Sequence, residues 1–220
     1  MEDLLQNLAR VVELGKINKD TPYPPELKGE DGASELTVAA LEKGIEPQTI
    51  LNQGLTPGMK SIGDKFEKGE AFIPNMLIAA KAMNAAMEHL QPFFTSGSIE
   101  AKGTLIIGTV KGDLHDIGKN LVKMIVKGSG WQVVDLGTDV SAEQFIQALG
   151  ENKEAIIGMS ALLTTTMMQM DSATKAIKDF SPDTKVYVGG APVSQKYCEQ
   201  IGADGYFADP SKFTKHLATF

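Results

Sequence analysis

The residues with the clearest chemical potential lie in Gly112-Asp-Leu-His-Asp-Ile-Gly118, where a histidine stands between aspartates and glycines. A neutral imidazole is a common metal ligand, and the hydrogen bond made by its other ring nitrogen sets its tautomer and basicity. Asp113 precedes His115 by two positions, so both side chains point to the same side of an extended loop. The spacing predicts a metal-binding histidine supported by a carboxylate. The alternative is a solvated histidine on a surface loop.

The chain around this loop predicts a strand before it and a helix after it. Residues 104–110 are almost entirely apolar, which is typical of a buried strand, and residues 118–128 follow with a helical pattern. The histidine is thus expected at the carboxyl end of a strand, where open α/β sheets bind ligands. Gly112 and Gly118 carry no side chain, so a bulky ligand could approach the backbone there.

The second half of the chain alternates strands with helices. Further strands are predicted at residues 132–136, 155–159, 185–189 and 205–207. Helices are predicted between them at about residues 141–150, 165–179 and 193–201, with a last one from about residue 210. This alternation predicts a Rossmann-like α/β domain over residues 103–220, with a doubly wound, five-stranded parallel sheet and right-handed crossovers.

The first half of the chain contains helical patterns only. Helices are predicted over residues 3–14, 34–44, 47–54, 59–69 and 74–90. Short connections join them, so residues 1–91 are predicted to form an all-α helical bundle. Pro92 is expected to end the last helix, and residues 92–102, which include Thr95, Ser96, Gly97 and Ser98, are predicted to be a linker that acts as a hinge.

Composition and charge exclude several classes of protein. With 42% hydrophobic residues among 220, the chain can bury a sizeable core. A net charge of -7 without a basic block argues against a nucleic-acid partner. The acidic start is unlike a signal peptide, no apolar run approaches the ~20 residues of a membrane span, and the single cysteine excludes a disulfide framework. A cytoplasmic protein without a membrane partner is therefore expected.

The motifs of the chain resemble those of one known family, the cobalamin-binding proteins. The motifs that carry the resemblance are Asp113-x-His115-x-x-Gly118, Val134-Asp-Leu-Gly137, Ser160-Ala-Leu162 and Gly189-Gly190, with Leu55-x-Pro-Gly-Met59 and Gly69-Glu-Ala-Phe-Ile-Pro74 in the helical half. Within that family, the chain is most similar to the corrinoid proteins of methyltransferase systems and to the matching region of cobalamin-dependent methionine synthase. The resemblance covers nearly the whole chain.

The resemblance implies a role for each of these residues. His115 would be the lower axial ligand of cobalt in place of the cofactor's own benzimidazole, and Asp113 would hydrogen-bond His115. Thr166 stands where the methionine synthase pattern has a serine that completes this relay. Other contacts with the cofactor or its displaced nucleotide tail are implied for Gly112, Leu114, Asp116, Gly118, Ser160, Leu162, Thr164, Gly189, Gly190, Ala191, Asp209, Pro210 and Asn52. Phe66, Ile73 and Met76 would form an apolar cap above the cobalt.

The resemblance further implies that the protein is a methyl carrier and not a complete catalyst. Its cofactor would be cobalamin or another corrinoid, held base-off with His115 on the cobalt and carrying the methyl group as methylcobalamin. A substrate-specific methyltransferase would load the methyl group, and an acceptor methyltransferase would pass it to a tetrahydrofolate-type pterin or a thiol. A reductive activase is a further expected partner.

Other functions and simpler structural roles remain open at this point. The alternative functions are a cobalamin-binding subunit of an adenosylcobalamin-dependent mutase, a cobalamin-based sensor and a metal-free flavodoxin-like or receiver domain. Ser160 and Thr164 could instead cap a helix, Gly189-Gly190 could form an ordinary turn, and Phe66 and Met76 could belong to the bundle core. His89 and His216 have no partner pattern and are predicted to be helix-surface residues.

Overall fold

The computed structural model of the chain describes residues 2–220, except the side chain of Thr95. Its contacts divide the chain into two compact units. The first unit comprises the residues up to Ala101 together with Lys127–Gly130, and the second comprises Lys102–Val126 and Trp131–Phe220. Nearly all of the helical half therefore forms one unit, and nearly all of the α/β half forms the other.

The first unit is helical. Its helices are α1 (Glu2–Leu14), α2 (Ala33–Glu42), α3 (Pro47–Thr49), α4 (Thr56–Glu67) and α5 (Ile73–Thr95), with a π-helical segment at Ile50–Leu55 and a 3-10 turn at Pro25–Leu27. The apolar face of α1 is buried through Leu5, Leu8, Val11 and Val12. A Cβ atom on Gly58 would lie 2.4 Å from the carbonyl oxygen of Ala9, so α4 packs against α1 at a distance that requires glycine.

Two helix boundaries differ from the sequence prediction. The break expected at Pro57-Gly58 does not occur, because Pro57 lies in the first turn of α4, which continues directly from the π-helical segment Ile50–Leu55. Helix α5 does not end before Pro92 but continues to Thr95. A proline has no N–H to donate to the preceding turn, but its carbonyl oxygen can still accept a helical hydrogen bond. The Ser96 N–H donates to the Pro92 carbonyl oxygen at 3.0 Å. The first residues of the predicted linker are therefore helical.

The second unit contains the predicted five-stranded parallel sheet, which confirms the fold class. Its strands are β1 (Thr104–Thr109), β2 (Gln132–Asp135), β3 (Ile156–Ser160), β4 (Val186–Gly189) and β5 (Gly205–Tyr206). They lie in the order β2-β1-β3-β4-β5. Thr109 pairs with Ser160, and Ser160 pairs with Gly189, so the carboxyl ends of β1, β3 and β4 are level.

Helices cover both faces of this sheet. They are α6 (Ile117–Gly128), α7 (Ala142–Glu151), α8 (Thr164–Phe180), α9 (Gln195–Ile201) and α10 (Pro210–Leu217). One core cluster joins Ile106 to residues of α7, α8 and α9, and a second joins Leu105 and Ile107 to residues of α6 and α10. Neighbouring residues of β1 therefore point into opposite cores, as expected for a strand buried on both sides.

The strand order places a crevice between β1 and β3. Strand β2 pairs with one side of β1 and β3 pairs with the other, so the connections that follow β1 and β3 lead to opposite sides of the sheet. Ligands of open α/β sheets bind at such a switch point, outside the carboxyl ends of the strands. Among residues 2–220, no helix is long and apolar enough to cross a membrane.

Candidate functional site

The loop that carries His115 leaves β1 and enters α6. Gly112 has a φ of 81°, a left-handed conformation that favours glycine, and the chain turns there. His115 Nδ1 lies 2.9 Å from Asp113 Oδ1, and the His115 backbone N–H donates to the same oxygen at 3.1 Å. The buried hydroxyl of Thr109 donates to the His115 carbonyl oxygen at 2.8 Å. These contacts hold both the ring and the backbone of His115.

Asp113 connects this loop to the beginning of α8. The second carboxylate oxygen, Oδ2, accepts hydrogen bonds from the backbone N–H groups of Leu162 and Leu163 at 2.8 and 3.2 Å. It also accepts one from the Thr166 hydroxyl at 2.7 Å. The carboxylate is completely buried and lies at the N-terminal end of α8, where the helix dipole favours a negative charge. The three residues of the predicted relay are therefore in hydrogen-bond contact.

The protonation states within this group follow from its hydrogen bonds. Burial alone raises the pKa of the Asp113 carboxyl, but the hydrogen bonds from Leu162, His115 and Thr166 together hold its pKa well below the usual range. An ionised carboxylate only accepts hydrogen bonds, so Nδ1 of a neutral His115 carries the proton and Nε2 carries the free electron pair. Since the His115 side chain is 51% exposed, that electron pair can act as a metal ligand.

The surface around His115 is unusually apolar. Leu114, on the loop after β1, and Ile117, the first residue of α6, are 74% and 75% exposed, and Leu162 and Leu163 are exposed on the loop after β3. Exposed apolar groups of this kind mark binding sites. A Cβ atom on Gly118 would meet nothing within 4 Å, so the protein itself gives no reason for a glycine there. A large apolar ligand placed above His115 accounts for both observations.

The described part of the chain does not form a complete metal site of its own. Within residues 2–220, no group of three or more His, Cys, Asp and Glu side chains is arranged to hold a metal ion. A metal bound by Nε2 of His115 would therefore take its other ligands from a cofactor. A metal held in a large organic ring fits this requirement and the apolar surface together.

The loops after β3 and β4 approach each other closely. Gly190 has a φ of 125°, and a Cβ atom there would lie 1.9 Å from the Ala161 carbonyl oxygen, so this position requires glycine for the fold alone. Ser160 is partly buried, and Thr164 and Ala191 are exposed. Neither Ser160 nor Thr164 caps α8, because the residue at the N-cap is Leu163 and no side chain caps it. The helix-capping alternative for these two residues is therefore wrong.

The remaining predicted residues have other surroundings. Asp209 caps α10 by accepting a hydrogen bond from the Lys212 N–H at 2.9 Å, and Pro210 is the first residue of that helix. Asp116 Oδ2 accepts a hydrogen bond from the Asn120 side chain at 2.8 Å. In the first unit, Asn52 and Ile73 are exposed, Phe66 is partly buried and Met76 is buried.

Several residues that shape the site were not predicted from the sequence. The additional contacts come from Thr109, from the backbone of Leu163 and from Asp139, which accepts a hydrogen bond from the Gly112 N–H at 2.7 Å. A polar residue at the end of an apolar strand was the available signal for Thr109. The prediction of a surface position for the other histidines was wrong in part, because both are partly buried and bonded, His89 to Ser34 and His216 to Tyr187.

A buried ion pair connects helix α6, which follows the loop, to strand β2. Lys119 and Lys123 each place Nζ 2.6 Å from an oxygen of Asp135, and Lys119 is buried. Burial raises the pKa of Asp135, but the hydrogen bonds from the two lysines and from Gly137 outweigh it and lower the pKa to about 2. The negative charge of Asp135 is therefore maintained at neutral pH and holds α6 against the sheet.

Two family models match the chain. One, described as a B12 binding domain, covers residues 103–212, which is half of the chain, and includes the His115 loop and the segments that follow β3 and β4. A second model with the same description covers residues 29–91 in the helical unit.

Individual proteins resemble the chain over most of its length. Trimethylamine corrinoid protein 1 of Methanosarcina acetivorans is 41% identical over 181 residues, which are 80% of this chain and 84% of that protein. A cobalamin-binding protein from Desulfitobacterium hafniense DCB-2 has a similar structure, with a TM-score of 0.74 and 27% identity over 98% of this chain and 97% of that one. The methanol:cobalamin methyltransferase complex MtaBC from Methanosarcina barkeri matches with a TM-score of 0.77 and 28% identity, over 99% of this chain and 81% of that one.

Proposed function

Because this chain belongs to the B12-binding corrinoid proteins of methyltransferase systems, we propose that it carries methyl groups between two methyltransferases on a corrinoid ligated by His115. The cofactor of the family is cobalamin or a closely related corrinoid. When bound, the corrinoid supplies a cobalt ion that can accept a methyl group and give it up again.

The observation that carries the proposal is the arrangement of His115 and Asp113. Ionised Asp113 accepts the Nδ1 proton of His115 in a hydrogen bond, so Nε2 would be the atom that holds the cobalt of a bound corrinoid. Thr166 and the backbone of Leu162 hold the carboxylate from its other side, so Asp113 cannot turn away from the ring. A carboxylate behind a metal-bound histidine fixes its orientation and raises its basicity. The cofactor's own base would then be displaced, which is the base-off, His-on state.

The apolar residues around His115 would support the lower face of the corrinoid ring. Leu114, Ile117, Leu162 and Leu163 are exposed in the protein alone, and their burial by the ring would favour binding by about 25 cal/mol for each Å² of apolar surface. They would also keep water from the bond between cobalt and Nε2. Gly118 would allow the ring to approach the start of α6.

The displaced nucleotide tail would lie beyond the carboxyl ends of β3 and β4. Residues proposed to line it are Ser160, Thr164, Gly189, Gly190, Ala191, Asp209 and Pro210. Gly190 and Asp209 also have structural roles in the protein itself: Gly190 allows a close backbone contact, and Asp209 caps α10. The presence of these two residue types is therefore explained by the fold as well as by tail binding.

The helical unit would provide apolar cover for the upper face of the cofactor. Phe66, Ile73 and Met76 are the proposed cap. Ile73 and its neighbour Phe72 are exposed, while Met76 is buried and would support the others by packing. Asn52, which is exposed on the π-helical segment, would reach the edge of the ring. The cap excludes water and oxidants from a reactive metal, and it would move aside for each transfer.

The partners of the protein are methyltransferases, and their chemistry is proposed from its relatives. Relatives named as trimethylamine and dimethylamine corrinoid proteins support a methylamine-specific methyltransferase as the donor partner. The similarity to the methanol:cobalamin methyltransferase complex supports direct contact with such an enzyme. An acceptor methyltransferase that uses a thiol or a tetrahydrofolate-type pterin and a reductive activase would complete the cycle.

The test of His115 ligation is electron paramagnetic resonance of the protein reconstituted with cob(II)alamin. We expect an axial nitrogen splitting that changes from a triplet to a doublet when the protein is labelled with ¹⁵N-histidine. His115→Ala should abolish this isotope effect while corrinoid still binds. His89→Ala is the matched control, because His89 also has one hydrogen-bonded ring nitrogen but lies in the helical unit.

Two outcomes contradict the proposal. Failure of the wild-type protein to bind any corrinoid would refute the proposed function. An isotope effect that persists in His115→Ala would show that another histidine is the ligand.

Methyl transfer is measured with methylated protein, a thiol or a reduced pterin and the acceptor enzyme. Preferential binding of adenosylcobalamin without methyl transfer would favour the mutase alternative.

A further inference from the structure

The connection between β2 and α7 runs alongside the start of the His115 loop. The Thr109 N–H donates to the Gly137 oxygen at 3.0 Å, and the Val140 N–H donates to the Thr109 oxygen at 2.9 Å. Beyond these bonds, Asp139 reaches the loop twice. Its Oδ1 accepts a hydrogen bond from the Gly112 N–H at 2.7 Å, and its own backbone N–H donates to the backbone carbonyl oxygen of Asp113 at 3.0 Å. Asp139 thus holds the backbone on both sides of the turn at Gly112.

Asp139 makes these contacts in an unusual backbone conformation. Its φ is 58°, and it is the only non-glycine residue with a positive φ within residues 2–220. Aspartate tolerates this left-handed conformation better than most residues, but it still costs free energy. Such a conformation persists where the surrounding contacts require it, and here those contacts are with the loop that carries His115.

We propose that Asp139 is a positioning residue that sets the direction of the His115 ring without touching the ring or the cofactor. The inference rests on the proposed function, because it concerns the ligation of cobalt by His115. The turn at Gly112 determines where Asp113 lies, and Asp113 determines the orientation of the imidazole. Loss of the Asp139 carboxylate would release the start of the loop and allow Nε2 to depart from the ligating direction.

Three variants separate the side chain of Asp139 from its backbone and from general stability. Asp139→Gly removes the carboxylate but easily adopts the left-handed conformation. Asp139→Asn keeps an acceptor for the Gly112 N–H and also tolerates a positive φ. Ser141→Ala is the matched control, because Ser141 caps α7 two residues later and accepts its hydrogen bond from Gln144, not from the loop.

The first measurement uses the cofactor-free protein. Amide hydrogen exchange at Gly112 should be roughly fivefold faster in Asp139→Gly than in wild type, as expected for the loss of one hydrogen bond. Asp139→Asn and Ser141→Ala should exchange at the wild-type rate at this position. This measurement needs no corrinoid, so its outcome is independent of the proposed function.

The second measurement uses protein loaded with cob(II)alamin. The ratio of His-ligated to unligated cobalt, from the histidine isotope effect, should fall roughly fivefold in Asp139→Gly and recover in Asp139→Asn. Equal ratios in Asp139→Gly and wild type overturn the inference while leaving His115 as the ligand. An equal loss in Asp139→Asn or in Ser141→Ala also overturns it. A wild type with no histidine ligation removes the proposed function itself.

Discussion

At the scale of single residues, the properties of the site depend on one buried carboxylate. Asp113 receives hydrogen bonds from its own loop and from residues about fifty positions later, at the start of α8. These bonds lower its pKa, which keeps the carboxylate ionised and assigns the free electron pair of His115 to Nε2. The Asp113-x-His115 spacing was sufficient to predict the pair, but the donors that hold Asp113 in place come from a distant segment.

Gly118→Ala is expected to separate stability from cofactor binding. Gly118 is the second residue of α6, where an added Cβ meets no protein atom, and alanine favours a helix by up to about 1 kcal/mol. The cofactor-free protein should be as stable in urea as wild type or slightly more stable. Its corrinoid affinity should fall, because the added methyl group would occupy the ligand's space.

The control for this prediction is Gly150→Ala. Gly150 lies in α7, where an added Cβ likewise meets nothing within 4 Å, so this variant should also be as stable as wild type or slightly more stable, while its corrinoid affinity should be unchanged. Corrinoid affinity is measured by titration followed in the visible spectrum. Equal affinities of Gly118→Ala and wild type would remove Gly118 from the cofactor site.

At the scale of secondary-structure elements, the position of α6 decides where the His115 loop ends. Lys119 and Lys123 on α6 both bind Asp135 at the end of β2, and the Asp135 carboxylate also accepts a hydrogen bond from the Gly137 N–H. The loop thus begins at a strand of the sheet and ends at a helix that is held to the neighbouring strand by charge. Loss of this ion pair would therefore weaken the attachment of both α6 and the His115 loop to the sheet.

Asp135→Asn is expected to destabilise the fold by about 3 kcal/mol, because it leaves the buried ammonium group of Lys119 without a negative partner. The measurement is the free energy of unfolding in urea. Lys175→Met is the control, since the exposed pair of Lys175 with Asp171 should contribute less than about 1 kcal/mol. A similarly small loss of unfolding free energy in both variants would show that the Asp135 ion pair stabilises the fold no more than an exposed pair does.

The same ion pair predicts a dependence of stability on pH. The pKa of Asp135 is about 2 in the folded protein and about 3.9 in an unfolded chain. Its contribution to stability is therefore complete above the unfolded pKa and is lost as the pH falls through the folded pKa. A difference of this size corresponds to roughly 3 kcal/mol, so the stability difference between wild type and Asp135→Asn should shrink between about pH 5 and pH 2. An unchanged difference at low pH would contradict this assignment.

At the scale of the whole molecule, the chain folds as two compact units. The α/β unit contains His115, Asp113, Thr166 and Asp139, so the hydrogen bonds described around His115 lie within one sheet and its connections. The helical unit has its own core, built on α1, and carries exposed apolar residues at Phe72 and Ile73. His115, the proposed ligand, and Phe66, Ile73 and Met76, the proposed cap, thus belong to different units.

Phe66→Ala is expected to accelerate the loss of the methyl group from methylated protein under light or in air. The phenylalanine is partly buried in the helical unit, and its removal would open the proposed cap to water and oxidants. The rate is followed in the visible spectrum. Phe180→Ala, which removes an exposed phenylalanine at the end of α8, is the control, and equal rates in all three proteins would exclude Phe66 from the cap.

Local patterns were sufficient for much of the architecture. Apolar runs and helical periodicity predicted all five strands of the sheet to within one or two residues and the helical character of the first half. These features depend on neighbouring residues in the chain. The continuation of α5 beyond Pro92 was not predicted, because a proline marks a probable helix boundary and cannot reveal the contacts that carry a helix past it.

Some residues of the site could likewise be predicted from local sequence, and others could be found only from the tertiary structure. The Gly112–Gly118 motif identified the histidine and its carboxylate partner, because both lie on one loop. Only the fold brought the N–H groups of Leu162 and Leu163 to Asp113, and only the fold placed Asp139 against Gly112. Parallel strands bring together the connections at their carboxyl ends, however far apart these lie in the chain. Contacts between such connections have no local sequence pattern, so only the tertiary structure decides which residues hold the His115 loop in place.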